Sequence, residues 1–158
     1  PREPVPLRAL VEDCWRSHAP RAAARGLRFE DRIAPDRTVA THPDTLRLIV
    51  DNLLANAAEY TEPGGEVVVD GGAGATIVDV TDSGPSLSAD ELARVFDRMW
   101  RAEAARSGGA HAGIGLALVK VACAALGHDV SARTLDDGRV SFRVTARDDA
   151  ASLDGRDA

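Results

Sequence analysis

Residues 51–61 read DNLLANAAEYT and complete a longer run that begins at Pro43. Along that run Leu46, Ile49, Val50, Leu53, Leu54 and Ala57 recur at helical spacing and predict an amphipathic helix. Thr41 is its expected N-cap, Pro43 suits the first turn, and Pro63-Gly64-Gly65 ends it. Asn52 and Asn56 stand four apart and so share one helix face. Asn is a mediocre helix former, and an amide buried without a partner costs roughly 1–3 kcal/mol. The pair therefore needs partners. Carboxamide oxygens are hard ligands suited to Mg²⁺ held together with substrate phosphates. Solvated or core-satisfying amides fit the same spacing.

Upstream of this helix, Leu7, Leu10, Val11, Cys14 and Trp15 predict another over Leu7 to Arg25, stopped by Gly26. Leu27 to Ile33 alternates as a strand does, and a short strand is expected over Thr38 to Thr41. Downstream, Glu66 to Asp70 and Ala75 to Thr81 read as strands joined through GGAG (residues 71–74) in a hairpin. Ser88 to Asp97 reads as a short helix, with Ser88 and Glu91 in a capping-box pattern. Ile114 to Leu126 reads as a helix stopped by Gly127. Asp129 to Thr134 and Arg139 to Ala146 are the last strands, turned by Asp137-Gly138. The pattern predicts helices on one face of a largely antiparallel sheet, in one domain over residues 1–147. Residues 148–158 are expected to be a frayed polar tail.

Two further segments carry chemistry. VTDSGPSLS (80–88 in VTDSGPSLS) places Asp82 at a strand end with Gly84 next but one. A carboxylate there can accept from an amino group, such as the adenine exocyclic amine, while the glycine lets backbone come close. An ordinary Asp turn has the same residues. RSGGAHAGIGLALVK (106–120) runs from a small-residue loop into an apolar helix. Helix N-termini present free N–H groups to phosphates, but neither a Walker loop nor a dinucleotide fingerprint is present. A mobile lid fits it better than a rigid cradle, and a flexible linker fits it too. Arg98, Arg101 and Arg106 flank this loop, where a guanidinium fork suits phosphate.

The bulk numbers narrow the class. The chain has 158 residues, 44% of them hydrophobic and 28% charged, with a formal charge of −6. This is the composition of a soluble globular domain with a sizeable core. The acidic balance argues against a nucleic-acid partner. No apolar run approaches the roughly 20 residues of a membrane helix. Cys14 and Cys123 lack metal-ligand spacing and read as small buried side chains in a reducing compartment. His18, His42, His111 and His128 lie in unrelated contexts. The first residue is Pro1, which reads as a piece of a longer chain or a processed one.

Taken in order, these segments resemble the catalytic and ATP-binding domain of bacterial two-component sensor histidine kinases, in the wider group shared with gyrase, Hsp90 and MutL. DNLLANAAEYT is similar to the family's N box, DSGPS to its G1 box, VFDRMWR to its F box and GIGLALVK to its G2 box. The resemblance covers roughly Pro4 to Arg147. It implies a two-layer α/β sandwich of the Bergerat type: a mixed, mostly antiparallel sheet of about five strands on about three helices, with ATP between the N-box helix and a lid. It implies that Asn56 coordinates Mg²⁺, that Asn52 supports metal and phosphates, and that Tyr60 lies against the adenine. By the same match, Asp82 accepts from the adenine amine, Gly84 permits close approach and Phe96 anchors the lid. Gly113, Gly115 and the adjoining Leu116 would line the triphosphate, with Arg101 and Arg106 nearby. Hydrolysing relatives carry a Glu base where Asn52 stands, so transfer to a protein rather than to water is implied. The implied partners are a separate dimerisation domain bearing the acceptor histidine and, downstream, a response regulator. The domain itself is expected to be monomeric and on the cytoplasmic side of a membrane-bound sensor.

Three positions depart from the family pattern: Glu59 where a basic residue is usual, Ser86 at the second G1-box glycine and His111 at the first G2-box glycine. No acceptor motif accompanies the boxes, since WRSHAPR around His18 does not match one. The chain is thus expected to hold ATP but to lack an acceptor of its own. The competing readings are a non-catalytic docking module of the same fold and an anti-sigma-factor-like serine kinase.

Overall fold

A computed structural model of the chain describes residues 1–98, 100 and 115–147. Arg101, Arg106, His111, Gly113, the loop expected over 107–112 and the tail from 148 lie outside the described residues. The element order is β1 (Glu3–Pro6), α1 (Leu7–Ala24), β2 (Arg28–Asp31), β3 (Thr38–Thr41), α2 (Pro43–Tyr60), β4 (Glu66–Asp70), β5 (Thr76–Asp82), α3 (Ala89–Arg94), α4 (Gly115–Ala125), β6 (His128–Thr134) and β7 (Val140–Ala146).

The main sheet has the order β2-β4-β5-β7-β6, with β2 and β4 parallel and every other neighbour antiparallel. Parallel neighbours cannot be joined by a tight turn and need a crossover. The chain from β2 to β4 supplies it through α2, which lays the Asn-bearing helix across the sheet. The buried faces then interlock. Leu46, Ile49, Val50, Leu53, Leu54 and Ala57 of α2 pack in one core with Val67 and Val69 of β4, Val78 and Val80 of β5, and Val140, Phe142 and Val144 of β7. Helices α1 and α4 flank α2, contributing Leu7, Leu10, Val11 and Cys14 from one and Val119, Ala122 and Cys123 from the other. Trp15 of α1 stacks on Phe29 of β2, ring centroids 4.2 Å apart.

The expected sandwich is therefore found. The short α3 carries the complete capping box between Ser88 and Glu91. Gly26, Gly127 and Gly138 take positive φ where the chain leaves α1, leaves α4 and turns between β6 and β7.

Two local expectations change. Thr41 does not cap α2; it ends β3, paired with Glu3, and His42 occupies the N-cap without a side-chain bond. A β-branched residue is better used in a ladder than at a cap once a partner strand exists. That partner, β1, is absent from the sequence reading because EPVP carries two prolines and no alternation. Proline is tolerated there because β1 is an edge strand of a two-stranded sheet with β3.

Candidate functional site

Strand alternation explains where Asp82 lies. Val78, Val80 and Asp82 share one face of β5, the face covered by helices, so the carboxyl is carried under the edge of the core. It is 3% exposed. Its Oδ1 accepts a 2.8 Å hydrogen bond from the Gly84 N–H. Burial pushes its pKa up to about 7, against the lowering effect of that single bond. A Cβ at Gly84 would stand 2.5 Å from Asp82 Oδ1 and 3.1 Å from the Tyr60 carbonyl oxygen. Any side chain there would fill the approach to the carboxyl. The result is a buried acceptor bordered by bare glycine backbone, chemically suited to a group that donates a hydrogen bond.

The C-terminal end of α2 forms the other side of this wall. Thr61 is fully buried, and both its N–H and its hydroxyl donate to the Ala57 carbonyl, at 3.1 and 2.5 Å. Arg25, just past α1, donates to the carbonyls of Ala58, Glu59 and Thr61 at 2.6, 2.9 and 2.5 Å. Beyond the helix, Glu62 N–H reaches the Ser83 carbonyl at 3.3 Å, and Ser83 N–H reaches the Glu66 carbonyl at 3.1 Å. The segment carrying Tyr60 is thereby fastened to the segment carrying Asp82 and Gly84. Further along, Ser86 donates to the Gly138 carbonyl at 2.7 Å, and Thr134 donates to the Leu87 carbonyl at 2.8 Å. The loop after Asp82 is thus moored to the β6–β7 turn, and Ser86 has a defined role where the family pattern has glycine.

Asn52, Asn56 and Tyr60 follow one another at intervals of four along α2 and are all partly buried. Asn52 Nδ2 donates to the Leu48 carbonyl at 2.8 Å, and its oxygen lies on the side of Gly115. A Cβ at Gly115 would stand 3.0 Å from that oxygen. The start of α4 and the N-terminal half of the Asn stripe are therefore in contact, and a glycine is what allows it. Leu116 and Phe96 pack against the core as partly buried hydrophobics, Phe96 edge-on to Phe142 with centroids 6.3 Å apart. Neither reaches Asp82 in the hydrogen-bond or ring contacts described. Glu59 is partly buried on the same turn as Tyr60.

A concavity about 730 Å³ in volume lies between α1 and α2 and is lined by Asp13, Arg16, Asp44, Arg47, Asp51 and Asn52 among others. It touches the site only at Asn52 and includes none of Tyr60, Asp82 or Gly84. His18 bonds Asp51 near it at 2.8 Å. Among the described residues no group of three or more His, Cys, Asp or Glu side chains could hold a metal ion. Cys14 and Cys123 are both buried and their thiols are pushed up to about 11 and about 12 by desolvation, so neither is a ready nucleophile.

A family model for the histidine kinase-, DNA gyrase B- and HSP90-like ATPases matches residues 41–150, a span that includes Asn52, Asn56, Tyr60, Asp82, Gly84 and Gly115. The chain belongs to that family. Its relatives among curated proteins are sensor histidine kinases. It is 36% identical over 143 residues to a probable sensor histidine kinase of Mycobacterium tuberculosis, covering 89% of this chain and 36% of that protein. It is 35% identical over 122 residues to the signal transduction histidine-protein kinase BaeS of Escherichia coli, covering 74% of this chain and 26% of BaeS. The chain thus spans about a quarter to a third of the length of these relatives. Among solved structures it superposes on the mycobacterial sensor histidine kinase MprB with a TM-score of 0.76 at 24% identity, covering 92% of this chain and 97% of that one. It matches full-length ShkA, solved in complex with AMPPNP, with a TM-score of 0.78 at 26% identity, covering 92% of this chain and 30% of ShkA.

As a member of this ATPase family the chain has a domain architecture whose fold and likeness were legible from the four boxes. Arg25, Thr61, Ser83 and Thr134 were not, although they hold the boxes in place. Thr61 follows directly on the Asn stripe, but its hydroxyl bond is to its own helix and leaves no spacing signal. Arg25 reads as the basic last turn of α1, with nothing in the sequence to say that it serves α2.

Proposed function

We propose that this chain is the ATP-holding catalytic domain of a two-component sensor histidine kinase. The observation that carries this reading is the strip along α2. At one end lies the buried Asp82 acceptor beside the bare backbone of Gly84; at the other, Asn52 meets Gly115. Eight residues of α-helix separate Asn52 from Tyr60, a rise of about 12 Å. That is the scale of a purine joined to a triphosphate. The family and the sensor-kinase relatives support the same assignment.

In this reading Asp82 accepts from the adenine amine and Tyr60 lies against the base. Asn56 offers its carboxamide oxygen to a magnesium ion held jointly with the phosphates, and Asn52 supports the metal and the phosphates. The donor set fits such an ion: hard oxygens on one helix face, partly buried, with too few carboxylates for a metal site made of protein alone. Bound magnesium would offset phosphate charge. Gly115 lets the start of α4 approach the phosphate end, and Arg101, Arg106 and Gly113 are assigned to it by the motif match alone. Phe96 supports the loop that follows it by packing on Phe142.

Phosphoryl transfer asks mainly for positioning and charge compensation. The acceptor is a histidine of the dimerisation domain of the same kinase. Its imidazole nitrogen forms the new bond to the γ-phosphorus, the bond to the β–γ bridging oxygen breaks, and ADP leaves. The imidazole proton passes to a base on the acceptor domain. Asn52 in place of a carboxylate leaves no base aimed at water, which favours transfer over hydrolysis. A response regulator is the downstream partner.

Thermal unfolding with and without Mg²⁺-ATP tests this. A ligand at a hundred times its Kd stabilises the native state by about 2.7 kcal/mol, which for a chain of this size raises Tm by about 5–10 °C. No shift at millimolar Mg²⁺-ATP would overturn the reading in favour of a docking module.

A further inference from the structure

We propose that Arg25 is a positioning residue for the base end of the site, an inference that rests on the nucleotide reading above. Its guanidinium makes three hydrogen bonds, all to carbonyls in or just past the last turn of α2: Ala58, Glu59 and Thr61. Carbonyls at a helix C-terminus lack intrahelical partners and carry the negative end of the helix dipole. A cation with several donors satisfies both needs at once.

The arrangement does more than close a helix. The Ala57 carbonyl is taken by Thr61, and those of Ala58, Glu59 and Thr61 by Arg25. The Tyr60 carbonyl, in the middle of this set, is the one that faces the Gly84 backbone, 3.1 Å from where a Cβ would stand. The backbone at Tyr60 is therefore held by the groups on either side of it. Arg25 is itself held: its N–H donates to the Ala22 carbonyl at 3.1 Å, and its own carbonyl accepts from Gly64 at 3.0 Å. Gly64 belongs to the turn that continues through Gly65 and Glu66 to the Ser83 contacts. Arg25 thus ties α1, the end of α2 and the α2–β4 turn into one unit around the Asp82–Gly84 wall. It does not touch Asp82, and its role is to fix the distance between Tyr60 and that wall.

The experiment measures ATP binding by calorimetry on the 158-residue chain, for wild type, Arg25→Ala, Arg25→Lys and Phe29→Leu. Phe29→Leu loosens the stack on Trp15 and so lowers stability without removing any of the three Arg25 hydrogen bonds. All are measured well below their unfolding temperatures. Losing three charge-assisted bonds predicts a Kd for ATP raised about tenfold or more in Arg25→Ala, partial recovery in Arg25→Lys, and a change within about twofold in Phe29→Leu. Equal losses in Arg25→Ala and Phe29→Leu would reduce Arg25 to general stability and overturn the proposal, as would an Arg25→Ala affinity within about twofold of wild type. If Arg25→Ala does not fold, Arg25→Lys and Arg25→Gln decide: weakened ATP binding in both supports the proposal, and wild-type affinity in both overturns it. Wild-type chain that fails to bind ATP at all sinks the nucleotide reading and this inference with it, whereas normal wild-type binding with an indifferent Arg25 sinks only the inference.

Discussion

Replacing Asp82 by Asn should make the free chain more stable and the ATP complex weaker. The carboxyl is 3% exposed and its only described hydrogen bond is from Gly84 N–H, so its charge is poorly solvated. Its pKa rises from 3.8 to about 7 in the folded chain. A raised folded-state pKa means a contribution to stability that is intact below about pH 3.8 and lost as pH climbs through about 7. The interval is about three pH units at 1.36 kcal/mol each, so ionising Asp82 costs the fold on the order of 4 kcal/mol as a ceiling. Asn keeps an oxygen for the Gly84 N–H and removes the charge. Even a quarter of the ceiling, about 1 kcal/mol, would raise Tm at pH 8 by about 2–4 °C. His128 opposes the trend: burial, with Arg2 and Arg147 nearby, holds its pKa below 6.5, so its contribution fades as pH falls. The readout is therefore the difference between Asp82→Asn and wild type, by urea denaturation from pH 4 to 8, which cancels His128. That difference should grow with pH and level off above about 7. For binding, Asn turns an acceptor into a donor where the proposed function has the adenine amine donate, and an unpaired buried donor costs roughly 1–3 kcal/mol, or about a tenfold to hundredfold loss of ATP affinity. In wild type, ATP should expel a proton from Asp82, and calorimetry near pH 6.5 in buffers of different ionisation enthalpy would detect it. A variant less stable than wild type at pH 8, or a difference that does not change with pH, would refute the picture of a desolvated carboxyl.

Gly84→Ala places a methyl 2.5 Å from Asp82 Oδ1; it should cost about 1–3 kcal/mol of stability in urea denaturation and close the base end to ATP. Asn56→Ala should abolish the magnesium dependence of ATP binding with less than about 0.5 kcal/mol change in stability, since the residue is only partly buried; unchanged affinity in calorimetry removes it from the site. Glu59→Lys should tighten ATP binding if Glu59 faces the phosphates, and equal or weaker binding would place its carboxylate elsewhere.

The parts of the molecule that sequence revealed are those written in local periods. The α2 stripe, the β4–β5 and β6–β7 hairpins and the capping box at Ser88 each depend on residues within one turn or one strand of each other. Asp82 became a site candidate through its neighbours, Gly84 and a preceding strand, but its burial follows from being in phase with Val78 and Val80, a fact with meaning only once the helices lie on that face. Thr41 went the other way. It has the side chain of an N-cap, and it lost that role to a strand partner, Glu3, nearly 40 residues upstream. Strand β1 was hidden because its prolines contradict strand propensity, and a short edge pairing does not need that propensity.

The bonds that hold the site together are of a third kind. Arg25 to the end of α2, Ser83 to Glu66, Ser86 to Gly138 and Thr134 to Leu87 join positions 17 to 52 residues apart. Each uses a backbone carbonyl or N–H as partner, so the sequence at the far end is unconstrained and no residue pair can be read as complementary. This explains why Ser86 looked like a departure. As a glycine it would leave the loop after Asp82 with only the Leu87–Thr134 tie to this end of β6; as serine it adds the bond to Gly138 and gives up backbone freedom. The same logic makes the base end of the strip the firmer one. Asp82, Gly84 and Tyr60 are positioned by bonds that exist in the free chain, whereas the phosphate end is built in the described residues from the α2 side and Gly115 alone. In the proposed nucleotide reading, substitutions at the base end should therefore act on affinity through geometry already present before binding.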